Sequence, residues 1–186
     1  MNIRVATIDD MPAVWELTYE AFLKRGLCAP NDVGQLQHYP HLDGIAETTV
    51  LIAEDESGLV GTITVTQDGP QGLHVDKTFP GVVRYGGVRN LPAGYRDHEV
   101  GAVWRLAVRG GGGVHCLVGA ALQELVTLQL SVVVIVVHPG QVSFYERRLG
   151  FKEVSRVDHD PTVNNAPAVL MIGRLETMSK KWKQKG

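Results

Sequence analysis

An α/β fold, of the α+β kind, with a mixed central sheet flanked by helices is what three features of this 186-residue sequence predict. Its first half holds two strand-like runs around a tight turn, the signature of an antiparallel hairpin. Two segments, Met11 to Arg25 and Val114 to Leu128, carry apolar residues at helical spacing. Ser131 to Val137 is an unbroken β-branched and apolar run, as expected of a central strand buried on both faces. Order then matters: runs of strands come first, and a strand–loop–helix–strand unit follows.

Taken along the chain, Ile3 to Ala6 alternates as a strand, and Thr7-Ile8-Asp9-Asp10 supplies cap candidates for the helix that Val14, Leu17 and Ala21 define. Thr48 to Glu54 and Leu59 to Thr66 form the hairpin around Glu56-Ser57-Gly58. Asp68 to Asp97 is rich in Gly and Pro and long for a compact domain, so it is the place to look for a substrate lid. Glu99 to Val108 resumes as a strand and Val114 to Leu128 as a helix. After the buried run, Val142 to Arg148 is a short helix closed by Gly150-Phe151, and Ala168 to Leu175 a last strand. A single domain over residues 1–178 is expected, followed by a basic tail, 179–186, that is solvated or disordered.

Composition narrows the function classes. With 44% hydrophobic and 20% charged residues and a net charge of −2, the chain has the profile of an ordinary globular protein and no electrostatic case for nucleic acid. Cys28 and Cys116 stand far apart without CxxC spacing, which argues for free thiols rather than a disulfide or a zinc site. No cluster has metal-ligand spacing, and no metal is expected. Asp9 and Asp10 sit where a signal peptide needs an apolar core, and no segment has the length to span a bilayer, so a cytoplasmic location without integral membrane contact is expected. The apolar content suits a monomer or a homodimer equally.

Four consecutive glycines, Gly110 to Gly113, separate the strand from the second helix. Successive backbone N–H groups leading into a helix N-terminus favour an anion, and glycines let the chain approach a phosphate without Cβ interference. The alternative is a flexible surface loop. No Gly-Lys-Ser/Thr follows, so the run is not a P-loop, and the GxGxxG spacing of a dinucleotide fold is absent.

Arg105-Leu106-Ala107-Val108, the glycine run, Gly119-Ala120-Ala121-Leu122, the buried strand and Phe144-Tyr145-Glu146-Arg147-Arg148-Leu149-Gly150-Phe151 follow one another in a known order. In this the chain resembles the GNAT acyltransferase superfamily over nearly its full length. The resemblance implies the GNAT fold, in which two adjacent parallel strands splay apart and a donor's pantetheine arm pairs with the first, here at Leu106, Ala107 and Val108. The segments "WRLAV", "HPGQVSFYERRLGF" and "PTVNNAPAVLM" are similar to those of the long-chain N-acyl amino acid synthases, relatives of the acyl-homoserine-lactone synthases. That branch implies a fatty acyl group taken from acyl carrier protein and joined to an amino acid. Two departures stand out. Val114 to Gly119 keeps only the last glycine of the usual phosphate loop, and Ala102 occupies the place of a lactone-synthase glutamate.

Such chemistry requires orienting an amine against a thioester, removing a proton, stabilising an oxyanion and protonating a thiolate. Tyr145 is the candidate proton donor or else a packing aromatic, and the usual spacing to Gly-Phe would instead select Glu146. Glu99 is the candidate base, with His98 beside it, or both are solvated loop residues. Gly110, Gly111, Gly112, Gly113, Val118 and Gly119 are the candidates for holding the donor, which is acyl-CoA, acetyl-CoA or the phosphopantetheine of an acyl carrier protein. His115 and His138 contact phosphate or pack. Arg105 is structural or grips a substrate carboxylate through its bidentate fork. Nothing near Cys116 marks a base to activate it as a nucleophile. Three readings follow: a long-chain N-acyltransferase acting on a small amine, an acetyl-CoA-dependent acetyltransferase, and a silent acyl-thioester-binding module.

Overall fold

The computed structural model describes residues 1–85, 88–96, 98–110 and 113–183, the side chains of Arg84, Tyr85 and Val88 excepted. Seven strands form one sheet: β1 (Asn2–Val5), β2 (Thr48–Asp55), β3 (Gly58–Gln67), β6 (Val100–Val108), β7 (Val132–Val137), β9 (Ala166–Arg174) and β8 (Lys152–Asp160), in that spatial order. A separate two-stranded ribbon, β4 (Arg84–Tyr85) and β5 (Val88–Arg89), lies between β3 and β6 in the chain. Among the described residues four α-helices complete the fold: α1 (Met11–Lys24), α2 (Val114–Thr127), α3 (Val142–Leu149) and α4 (Leu175–Lys183). None of the described helices is long and apolar enough to cross a membrane.

Each neighbouring pair in the large sheet is antiparallel except β6 and β7, which run parallel. Their ladder is short, joining Val100–Ala102 to Val132–Val134 and then stopping, although β6 continues to Val108 and β7 to Val137. Past that point each strand is held only from its outer side, β6 by β3 and β7 by β9. The sheet therefore opens at its centre, the splay implied by the sequence motifs.

On one face of the sheet, α2, α3 and α4 cover a core that includes Ile63, Val65, Leu117, Leu125, Val133, Ile135, Phe151 and Met171. Helix α2 begins at Gly113 with no side-chain cap, so its first amide groups have no side-chain acceptor. Helix α3 ends at Gly150, whose left-handed φ of 76° supplies the usual C-terminal turn and whose position would bring a Cβ to 2.8 Å from Thr177 Cγ2. The boundary expected at residue 178 falls inside a helix. Leu175 and Met178 bury one side of α4, and Trp182 stacks on His115 at 4.4 Å and 18°. The basic residues Lys180, Lys181 and Lys183 thus sit on the polar side of an amphipathic helix rather than in a loose tail, while 184–186 lie outside the described residues.

The opposite face carries α1, the irregular segment 26–47 and the long excursion. Here too the structure departs from expectation, because the excursion is a packed layer. Leu73, Val75, Phe79, Val82 and Leu91 are buried against Val100, Ala102, Val132, Val134, Leu170 and Ile172. Arg89 pins it from inside: Nε and Nη2 donate to Asp68 at 3.0 and 2.7 Å, both terminal nitrogens reach Asp76, and Nη1 also donates to the Val82 carbonyl at 3.1 Å. Lifting this layer as a lid would expose that apolar surface together with three buried or half-buried charges. Strand β8 and the segment 26–47 carry too weak a periodicity for the sequence to reveal them; β8 alternates irregularly because two register shifts interrupt its pairing with β9.

Candidate active site

A cavity passes through the sheet where β6 and β7 part, enclosing about 1190 Å³ of empty space with the solvent at its mouth included. Its two ends differ in chemistry because the sheet separates them.

Beneath α2 the walls are apolar. Val118, Ala121, Leu122 and Leu125 recur at i, i+3, i+4 and i+7, so one helix stripe lines a run of about 10 Å. Val133, Ile135 and Val137 face it from β7, with Leu149, Phe151 and Met178 completing the wall. Leu125, Val133 and Met178, at 1%, 0% and 1% exposure, lie towards the end where the strands rejoin. This end has no use for a polar ligand and offers about 0.8 kcal/mol for every methylene it covers.

The other end is built by a bulge. Thr62 pairs with Ala107 and Thr64 with Trp104, so Ile63 faces two residues, Arg105 and Leu106. Arg105 takes the extra place with φ of 52°, and regular alternation is broken there. Trp104 and Arg105 consequently share one face: Trp104 packs with Tyr39 and Leu42, and the guanidinium lies 4.3 Å over the indole, while Leu106 turns towards the α2 face. Arg105 Nη2 donates to Asp43 Oδ1 at 2.6 Å, yet Nε and Nη1 are buried and have no partner among the described residues. Burial lowers the pKa of this guanidinium, with Asp43 opposing the shift.

Around Arg105 stand His38, Tyr39, His74 and Asp160. Tyr39 lies edge-on to Trp104 at 5.1 Å, and His74 stacks on the same indole at 5.9 Å. Thr162 gives its hydroxyl proton to Asp160 Oδ1 at 2.7 Å, so its oxygen accepts from the Tyr39 phenol at 3.2 Å. His38 Nε2 meets the Thr162 carbonyl at 3.1 Å. Burial holds both imidazoles neutral, pushing His38 down to about 4, where the Arg105 charge adds to it, and His74 down to about 3. Because the folded values lie below the ordinary 6.5, the stability tied to neutral histidine is complete above pH 6.5 and is lost as pH falls towards 4 and 3. Acidification from pH 7 to 5 is expected to cost about 2 kcal/mol at His74, lowering Tm by about 5 °C. Because His38 contributes a similar amount over the same range, His74→Phe should remove about half of the pH dependence in thermal unfolding curves; an unchanged slope would contradict the assignment.

Of the residues singled out in sequence, Arg105, Leu106, Val118 and Tyr145 line the cavity. Tyr145 is half-buried, edge-on to Phe151 at 5.9 Å, and burial raises its pKa so that it keeps its proton; Glu146 is exposed. Ala107 and Val108 lie on β6 beyond the last rung shared with β7. Gly110 and Gly113 lead into α2, whereas Gly111 and Gly112 lie outside the described residues. Gly119 faces Trp182 Nε1, 3.4 Å from where a Cβ would be, and does not line the cavity. Glu99 and His98 are exposed at the closed end of the gap, about 20 Å along the strand from Arg105, and do not line the cavity. His138 lines it and also accepts from the Gly140 amide at 3.2 Å. Cys116 is exposed. His38, Tyr39 and Asp160 escaped sequence reasoning; for the first two the available signal was a 22-residue stretch without periodicity, 26–47, in which His38, Tyr39 and His41 stand close together.

The sequence model of a family described as "N-acyl amino acid synthase FeeM" matches residues 13–174. Among solved structures, the chain is similar to FeeM, an N-acyl amino acid synthase from uncultured soil microbes, at 18% identity and a TM-score of 0.76, covering 99% of this chain and 93% of that one. It is similar to TofI, solved in a ternary complex with an inhibitor and MTA, at 14% identity and 0.72, covering 98% and 97%. A ribosomal-protein-alanine N-acetyltransferase from Brucella melitensis follows at 17% and 0.61, covering 94% and 99%. At such identities these structures bear on the fold alone. No curated protein matches the sequence.

Proposed function

We propose that this chain, which belongs to the N-acyl amino acid synthase FeeM family and is an N-acyltransferase, joins a long acyl chain to the amine of an amino acid. The observation carrying this reading is the pairing of ends in one cavity: an apolar run under α2, and across the sheet a buried arginine with two nitrogens that have no partner among the described residues. A fatty chain satisfies the first and a carboxylate the second.

In this reading the donor is a thioester. Its pantetheine arm enters between β6 and β7 along Leu106, Ala107 and Val108, and its phosphate meets the amides from Gly110 through Gly113 into α2, with Val118 and Gly119 on the following turn. The acyl chain lies along Val118, Ala121, Leu122 and Leu125. Arg105 Nε and Nη1 hold the acceptor's carboxylate, which places the amine near the thioester carbon in the gap. Unladdered β6 amides face the developing oxyanion, and Tyr145 returns a proton to the leaving sulfur. Both acyl carrier protein and coenzyme A present the same pantetheine thioester. One phosphate suffices for the carrier-bound form, which the reduced glycine pattern of Val114 to Gly119 favours.

The test is product analysis by mass spectrometry with acetyl to hexadecanoyl donors, on coenzyme A and on acyl carrier protein, against all twenty amino acids. Long-chain N-acyl amino acids are expected, and a preference for acetyl donors would overturn the reading. Ala121→Phe is expected to fill the middle of the channel. Losing about four buried methylenes at 0.8 kcal/mol each lowers transfer of long chains about a hundredfold and leaves short chains unaffected. An equal loss for all lengths would mean that the chain runs elsewhere.

A further inference from the structure

We propose that His38 and Asp160 form the amine half of the acceptor subsite, with His38 the catalytic residue that takes a proton from the attacking nitrogen; this rests on reading Arg105 as the carboxylate clamp.

Asp160 is 1% exposed, and Thr78 Oγ1, the Thr162 amide and Thr162 Oγ1 all donate to its Oδ1, at 3.0, 2.9 and 2.7 Å. Among the described residues no cation pairs with it, whereas the buried guanidinium groups Arg89 and Arg105 each have a carboxylate partner. A buried charge requires a counter-charge, and the cavity that Asp160 lines is where an ammonium group can supply one.

His38 offers what the amine needs next. A carbonyl oxygen only accepts, so the ring nitrogen facing the Thr162 carbonyl, Nε2, carries the proton. Nδ1 then presents a lone pair, and it is buried with no hydrogen-bond partner among the described residues. Only a donor can satisfy that atom, as an amine N–H does and a carboxylate does not.

Occupancy of the two halves is coupled. Beyond burial, the charges of Arg105 and Lys77 disfavour a protonated His38, while Asp160 and the Thr162 carbonyl favour it. His74, the other imidazole in the cluster, is itself neutral, and the Tyr39 ring lies against His38 at 4.1 Å with a tilt of 39°. A carboxylate seated on Arg105 offsets the guanidinium charge and so raises the basicity of His38. Amino acids activate the base; amines without a carboxylate do not. The acceptor ammonium gives one proton to His38 Nδ1, which passes it to solvent, and the freed lone pair forms the C–N bond to the thioester carbon. As the C–S bond breaks, a second nitrogen proton reaches sulfur by way of the Tyr145 phenol. The products are amide, thiol and one released proton.

His38→Gln retains a side-chain amide donor for the Thr162 carbonyl and removes the ring acceptor. With the best amino acid of the panel, kcat is expected to fall about a hundredfold at pH 7, with the donor KM unchanged. The deficit should close as pH approaches the acceptor amine's own pKa, because the acceptor then arrives deprotonated. Asp160→Asn keeps an oxygen acceptor for the turn; calorimetry should show the amino acid bound at least tenfold more weakly and the α-hydroxy acid of the same side chain bound as before. A pH-independent loss at His38, or equal weakening of both ligands at Asp160, would overturn the assignment. Wild-type protein that acylates no amino acid would instead overturn the underlying function, whereas normal transfer by wild type and both variants overturns the amine half alone.

Discussion

Arg105→Gln is expected to lower kcat/KM for amino acid acceptors about a thousandfold. The guanidinium has two buried nitrogens without a partner among the described residues, and charge-assisted hydrogen bonds contribute about 1.5–3 kcal/mol each, so losing both costs about 3–6 kcal/mol. A competing effect must be separated from this one. The same substitution leaves Asp43, whose side chain is 10% exposed, without its cation, and breaking a buried pair costs about 3–5 kcal/mol of stability. The decarboxylated amine of the best acceptor tells the two apart, since it makes no bond to the clamp and loss of the guanidinium charge only raises the basicity of His38 towards it. If the variant slows transfer to the amino acid and to the amine equally, the loss is structural and the clamp assignment fails.

The second large effect concerns stability. Arg89→Met should strand Asp68 and Asp76 beneath the excursion, at a cost of about 3–5 kcal/mol and about 10 °C in Tm for a chain of this length. The loss should be local first. Amide exchange at Val75 and Phe79, whose side chains are buried against the sheet, should accelerate before that of β7. Adding Asp68→Leu and Asp76→Leu should recover much of the stability, because a buried charge network replaced as a whole by apolar residues is often neutral. A single variant with wild-type Tm would show that both carboxylates reach water without Arg89.

Legibility in the sequence followed periodicity. Helices α1 and α2, the β2–β3 hairpin and β7 each repeat one pattern over several residues, so their existence and nearly their limits are readable. Where the chain departs from a repeat, the sequence is silent. Strand β8 is broken by register shifts, and the segment that supplies His38, Tyr39 and Asp43 has no repeat at all. The Arg105 bulge is invisible for another reason. Nothing in "WRLAV" marks a residue as extra; only the count against β3 does, through Ile63 facing two residues. Tyr145 and Arg105, named from motif and chemistry, line the cavity, whereas Glu99, named by proximity in sequence, does not, because a strand advances about 3.3 Å per residue. Trp182 and Met178 show why the basic tail misled: charge dominated the composition, but two apolar side chains on one face decided the packing.

The parting of β6 from β7 gives this sheet four edges where an open sheet has two, and the extra pair lies at its middle. Outer edges invite other chains to pair, and proteins blunt them with charge or cover. These inner ones are protected by position: α2 and its neighbours close one side, and α1 with the 26–47 segment closes the other. A whole strand cannot enter, but a narrow arm bearing amides can. In the proposed reading, the fold thereby keeps a length of adhesive backbone for the donor's arm, away from other copies of itself.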